Sequence, residues 1–266
     1  MKQEQESSST GTTEAAGTDK EVRPVKPVKP VKPVKPPGSR PQKNLYEPYN
    51  IPPILYHAIR WFVIFVYHIV ARIRLRGLYN VPKKGAFIIA SNHLSWTDIP
   101  LIPFHLPRKV VYMAKEEYFN SRLAWLVRFL GAFPVKRGEG DRQALRAGEE
   151  QLKKGNILVI FPEGTRSRTR TMARAHSGMG MIALRTGVPV VPVAIWGSEN
   201  MLKKFGTPVT ISFGEPMVLT PKGKKITRED IDEATDKVMR KIAEMLPPEY
   251  RGVYGSSPGV GSSDIL

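Results

Sequence analysis

The chain has 266 residues, of which 41 are Lys or Arg and 24 are Asp or Glu, giving a formal net charge of +17; 41% are hydrophobic. That length suffices for one domain with a full core, and so large a basic surplus points to a phosphate-bearing partner such as a nucleic acid, an anionic membrane or a phosphorylated small molecule. With no cysteine, disulfide frameworks, thiolate metal sites and Cys nucleophiles are excluded, so catalysis must rest on oxygen and nitrogen groups.

Met1–Asp19 is polar, carries several Glu residues and has no apolar run. It does not resemble a signal peptide, and the bulk of the protein is expected on the cytoplasmic side. Val25–Pro36 then repeats Val-Lys-Pro four times. Too little apolar surface is available there to offset ordering entropy, so residues 1–50 read as a disordered arm, with Pro at every third position favouring polyproline II. Residues 1–43 hold nine basic and five acidic side chains, a surplus of only four. Thirteen of the seventeen charges therefore belong to the remainder.

Ile51–Val70 is rich in Ile, Val, Phe, Trp and Tyr, opens on Pro52 and Pro53, and is followed by Arg72, Arg74 and Arg76. It reads as a helix, placed in residues 51–72. His57, Arg60 and His68 are costly inside hydrocarbon, which favours a helix lying in one leaflet over a full span or a soluble core helix. Tyr56, Trp61 and Tyr67 suit the headgroup level. Beyond it, strands are expected at Ile73–Leu75, Ala86–Ala90, Val110–Met113, Ile157–Phe161, Val190–Ile195 and Val209–Phe213. Helices are expected at Ile99–His105, Arg122–Leu130, Arg142–Lys153, Gly180–Thr186 and Ile231–Met245. The layout is α/β, a single domain over residues 73–250, and the Gly- and Ser-rich residues 251–266 read as a flexible tail.

Two segments at strand ends carry groups suited to chemistry. In Ser91-Asn92-His93-Leu94-Ser95-Trp96-Thr97-Asp98, a turn between His93 and Asp98 would let the carboxylate hold one imidazole nitrogen and leave the other as a base. The competing reading is a loop histidine beside an Asp that caps a helix. In Phe161-Pro162-Glu163-Gly164-Thr165-Arg166-Ser167, the Gly, hydroxyls and Arg are equipment for holding a phosphate. A surface turn is the plainer alternative there. Glu163 is suited to orienting an Arg or a substrate hydroxyl. The five histidines show no metal-ligand spacing with partner carboxylates.

Together these segments resemble the glycerolipid acyltransferase family, whose signature blocks Asn-His-x-Ser-x-x-Asp and Phe-Pro-Glu-Gly-Thr-Arg-Ser both stand here complete. Phe133-Pro-Val-Lys-Arg137 and Val191-Pro-Val-Ala-Ile195 are similar to two weaker blocks, and the likeness runs from about Ile73 to Phe213. His176 departs from the pattern, since the family often carries Lys there. The resemblance implies a mixed sheet flanked by helices, with His93 as general base and Asp98 orienting it. It implies that Arg137, Glu163, Gly164, Thr165 and Arg166 bind the substrate, with Lys115 near the same pocket. It further implies acyl transfer from acyl-CoA or acyl-carrier protein to 1-acylglycerol-3-phosphate, with no metal or cofactor, at the cytoplasmic face of the cell membrane. The implied partners are a lysophospholipid, an acyl thioester, the membrane surface and, as donor, acyl-carrier protein; no nucleic acid is expected. Alternatives are another acceptor, such as glycerol-3-phosphate, another lysophospholipid or a glycolipid, or a non-catalytic basic membrane-binding protein.

Overall fold

A computed structural model describes residues 52–106, 108, 110–122, 124–135 and 142–255. The Val-Lys-Pro arm and Arg137 lie outside them. In chain order the elements are α1 (Pro53–Val70), β1 (Ala71–Arg76), β2 (Phe87–Ser91), α2 (Asp98–Phe104), β3 (Val110–Lys115), α3 (Glu116–Phe119), α4 (Ala124–Phe129), β4 (Ala132–Val135), α5 (Arg142–Lys153), β5 (Ile157–Ile160), α6 (Gly178–Thr186), β6 (Val190–Trp196), β7 (Thr207–Phe213) and α7 (Arg228–Met245). The seven strands form one mixed sheet in the order β1-β7-β6-β2-β5-β3-β4, parallel except for the β6–β7 pair.

The central strands are apolar throughout because both of their faces are covered. Phe87, Ile89, Ile157, Val191, Val193 and Ile195 pack on one face against Leu101 and Ile102 of α2, with Tyr67 and Val70 of α1 alongside. Ile88, Ala90, Leu158, Val190 and Ala194 pack on the other, against Ile182 of α6 and Val238, Met239 and Ile242 of α7. This places two parallel strand ends side by side at the centre of the sheet. Ala90 of β2 is in register with Ile160 of β5, and Ser91 with Val193 of β6.

Several boundaries differ from the sequence reading. β4 was not expected, because its four residues include Pro134; an edge strand tolerates a missing N–H, and β4 closes one side of the sheet. α7 starts three residues early because Thr227 and Asp230 make a capping box with Asp in the place usually held by Glu or Gln. Within the expected flexible tail, Gly252–Tyr254 form a 3₁₀ turn. Val253 N–H donates to Met172 O at 3.2 Å, so a tail starting at 251 is placed too early.

α1 presents a row of apolar side chains outward: Ile54, Leu55, Trp61, Phe62, Phe65 and Ile69 are each 49–85% exposed. Their spacing follows one helical face. Eighteen residues span about 27 Å, and no helix of the described residues is long and apolar enough to cross a membrane. Tyr56 and Tyr67 turn inward instead of to a headgroup level, Tyr56 packing edge-on to Phe104 at a ring separation of 6.3 Å.

Candidate active site

The loop after β2 is held in place from three sides. Asn92 is 1% exposed and bridges to β6 with both ends of its amide, donating to Ile195 O at 2.8 Å and accepting from Ile195 N–H at 2.9 Å. Because β6 lies beside β2, this fixes where the next residue, His93, leaves the sheet. Asn92 thus supports the loop rather than the chemistry.

Asp98 opens α2 and is fully buried. Its Oδ2 accepts from Leu94 N–H and Ser95 N–H, each at 2.7 Å, and from Nδ1 of His93 at 2.9 Å. One carboxylate oxygen therefore both bends the 94–98 turn and grips the imidazole. This is the turn that a five-residue spacing requires for the two side chains to meet. With an acidic acceptor at Nδ1, the ring proton sits there and Nε2 keeps its lone pair. The His93 ring stacks on Phe161 at 4.0 Å between centroids, an orienting contact from the loop after β5 that the sequence reading missed. Burial, reinforced by the charge of Asp98, also pushes the Tyr67 hydroxyl of α1 up to about 12.

The loop after β5 turns back at Phe161–Gly164, where Gly164 N–H donates to Phe161 O at 2.9 Å. Gly164 sits at φ +68°, a left-handed conformation that glycine adopts without a Cβ penalty. Ser167 N–H donates to His93 O at 2.8 Å, so the two loops are joined directly. Thr165 and Arg166 face solvent, and the Arg166 guanidinium lies 4.3 Å over the Trp96 ring, which itself packs edge-on to Tyr118. The aromatic platform for Arg166 is a second feature that motif reading passed over.

Glu163 holds backbone rather than an Arg. It is 3% exposed, Oε1 accepts from His93 N–H at 3.2 Å and Oε2 accepts from Ala173 N–H at 2.9 Å. Both oxygens hold backbone, and no Arg is bonded to them among the described residues. A buried carboxylate between strand-end loops is a brace, and the brace runs through the backbone of His93 itself. Burial pushes its carboxyl up to about 7, against the lowering pull of those two N–H groups and with a further push from the charge of Asp98.

Of the other expected residues, Lys115 is the last residue of β3, immediately before α3, and Arg137 lies outside the described residues. Arg142, Arg146, Lys153 and Lys154 are solvated, while Met179 is core. Among the described residues, no three His, Asp or Glu side chains are placed to hold a metal.

Comparison with known proteins matches this arrangement to one family. Residues 72–196 match the Acyltransferase family profile. The 1-acyl-sn-glycerol-3-phosphate acyltransferase of Bacillus subtilis is 31% identical over 172 residues, 62% of this chain and 84% of that protein. The lyso-ornithine lipid O-acyltransferase of Pseudomonas aeruginosa is 33% identical over 149 residues, 55% of this chain and 56% of that protein. Among solved structures, the 1-acyl-sn-glycerophosphate (LPA) acyltransferase PlsC of Thermotoga maritima superposes with a TM-score of 0.55 at 30% identity, covering 72% of this chain and 80% of its own. With its paired strand-end loops, its buried His93–Asp98 couple and these likenesses, the chain belongs to the acyltransferase family.

Proposed function

We propose that the protein transfers a fatty acyl group from a thioester, acyl-CoA or acyl-carrier protein, to the free hydroxyl of 1-acylglycerol-3-phosphate, giving phosphatidate. The observation that carries this reading is the buried Asp98–His93 pair, joined through Ser167 N–H to the loop that bears Gly164, Thr165 and Arg166. Nε2 of His93 takes the hydroxyl proton as that oxygen attacks the thioester carbonyl carbon. The carbon–sulfur bond then breaks, and the proton passes from the imidazolium to the departing sulfur as free thiol. Asp98 stabilises the imidazolium between those events. Because the thioester is already activated, positioning the two substrates and timing one proton transfer supply the rate, and no acyl-enzyme is needed. Arg166 on its Trp96 platform, the Gly164 turn and the Thr165 hydroxyl are the groups assigned to the acceptor phosphate, joined by Arg137 and Lys115. A fork of guanidinium donors suits a phosphate monoester.

The acceptor is the finer part of the reading, since one relative is named for a lyso-ornithine lipid. The outward apolar row of α1 supports a seat in one leaflet, with the lysolipid reaching His93 from the bilayer; the leaflet proposed is the cytoplasmic one. The test is purified protein with labelled acyl-CoA or acyl-carrier protein and a panel of lysophosphatidate, glycerol-3-phosphate, lysophosphatidylcholine and lyso-ornithine lipid. Transfer should be fastest to lysophosphatidate, and His93→Ala should lose about 10²–10⁴-fold in kcat. Full activity of that variant would end the mechanism; preference for an acceptor without phosphate would end the substrate assignment.

A further inference from the structure

A cavity whose lining includes neither His93 nor Asp98 lies at the β1 edge of the sheet. β1 alternates Ala71, Ile73 and Leu75 with Arg72, Arg74 and Arg76; Ala71 and Ile73 pack on the α1 face, and the three Arg line the opposite side. A groove of about 760 Å³ opens there, walled by these Arg, by Lys203 and Lys204, and by Trp196. Arg76 lies 5.8 Å over the Trp196 ring. Against five cations the lining holds one carboxylate, Glu249. Such a cleft focuses positive potential on whatever enters it.

The loop that closes the groove has an unusual surface. Met201 is buried and anchors it, whereas Leu202 and Phe205, on either side of Lys203 and Lys204, are 75% and 74% exposed. The loop is not slack, since the N–H groups of Lys203 and Lys204 both donate to Asn200 O, at 2.9 and 3.0 Å. Gly206 N–H donates to Val70 O at 2.8 Å, which ties the loop to the end of α1 and its outward row of apolar side chains. Charge on an edge strand guards against strand pairing. That guard accounts for the Arg row but not for two large apolar side chains held in water beside a Lys pair. Apolar tips with flanking Lys match the boundary between acyl chains and anionic headgroups.

We propose that this groove is a docking site for the headgroup phosphate of an anionic bilayer phospholipid, with Leu202 and Phe205 inserted beside it. It is separate from the His93 site, and it rests on the reading that α1 lies in a leaflet. It sets which way the sheet faces the membrane and makes attachment depend on lipid charge. The test is cosedimentation of the full chain with vesicles of phosphatidylcholine alone and of phosphatidylcholine mixed with phosphatidylglycerol. Each basic side chain at an anionic surface strengthens binding about fivefold. Arg72→Gln/Arg74→Gln/Arg76→Gln should therefore lose about a hundredfold on the mixed vesicles and nothing on the neutral ones. Leu202→Ser/Phe205→Ser should weaken binding to both, and the single variant Arg74→Gln, about fivefold weaker on mixed vesicles only, covers the event that the triple variant does not fold. A wild-type chain that binds neither vesicle overturns the leaflet reading, and this proposal with it. Equal wild-type binding to both vesicles, or equal loss from both in the Arg variants, overturns the headgroup site and leaves the leaflet reading standing. Release from mixed vesicles by free CoA at constant ionic strength would assign the groove to a soluble phosphate carrier and also overturn the proposal.

Discussion

Replacing Glu163 with Gln separates the charge of the buried brace from its shape. Glu163 is 3% exposed, and burial, against the two backbone N–H groups it accepts from, lifts its carboxyl from 4.5 to about 7. A group whose folded-state pKa is raised holds its proton more tightly when folded. Its contribution to stability is complete below the unfolded value and is lost as pH rises through the folded one. At ~1.4 kcal/mol per unit, the shift from 4.5 to about 7 amounts to about 3 kcal/mol. Gln does not titrate, so between about pH 4 and about pH 8 the unfolding free energy of Glu163→Gln should gain about 3 kcal/mol relative to wild type. Activity should move the other way. An amide offers one acceptor where Glu163 offers two, so either His93 N–H or Ala173 N–H faces an NH₂ group and the brace loosens. The measurements are denaturant unfolding followed by tryptophan fluorescence at both pH values, and acyl transfer by the same samples. Parallel stability profiles for the two proteins would refute a buried, elevated carboxyl at this position, and an unchanged kcat would refute its part in placing His93.

Asp98→Asn keeps an oxygen where Oδ2 accepts three N–H groups and puts an NH₂ where Oδ1 has no partner among the described residues. The fold should survive at a cost of about 1–3 kcal/mol for the unsatisfied donor, while kcat falls about 10²–10⁴-fold because a neutral side chain does not stabilise the imidazolium. Chemical denaturation and steady-state kinetics separate the two effects, and a kcat within about tenfold of wild type would contradict the assigned role. Gly164→Ala meets two obstacles, a positive φ and a new Cβ at 2.8 Å from Cδ2 of His176. His176 is exposed and its ring can swing aside, so the backbone term should dominate at about 1–2 kcal/mol. The cost should be nearly the same in a His176→Ala background, and full recovery there would show that the ring, not φ, sets it.

What was legible in the sequence follows from how far apart the interacting residues lie along the chain. β2, β5 and β6 are continuous apolar runs because both of their faces are covered, and a run of that kind is readable without knowing its neighbours. The His93–Asp98 couple is equally local: five residues, one turn and one carboxylate complete it. Glu163 is different. Its placement in a basic motif suggested a substrate or an Arg as partner; in the fold one of its oxygens accepts from the backbone of His93, 70 residues earlier. That contact exists only because β2 and β5 are adjacent and parallel with Ala90 opposite Ile160, and periodicity does not encode which strands are neighbours. The stacking of Phe161 on His93 and of Arg166 on Trp96 depends on the same adjacency.

The +17 surplus shows the same limit at the scale of the whole chain. Three Arg at alternate positions of a short strand look alike whether that strand is central or at an edge. Two Lys between a Leu and a Phe likewise look like any polar loop until Met201 is seen buried and the other two apolar side chains are seen turned out. Only the pairing of β1 with β7, and the hydrogen bond from Gly206 to Val70, brings these cations onto one groove at the β1 edge of the sheet. Local residue order therefore specifies the acid–base pair, while sheet topology decides what the positive charge faces. Reversing the charge of the groove should change where the enzyme sits, whereas reversing that of Arg166 should change what it binds, and separate vesicle-binding and KM measurements distinguish the two.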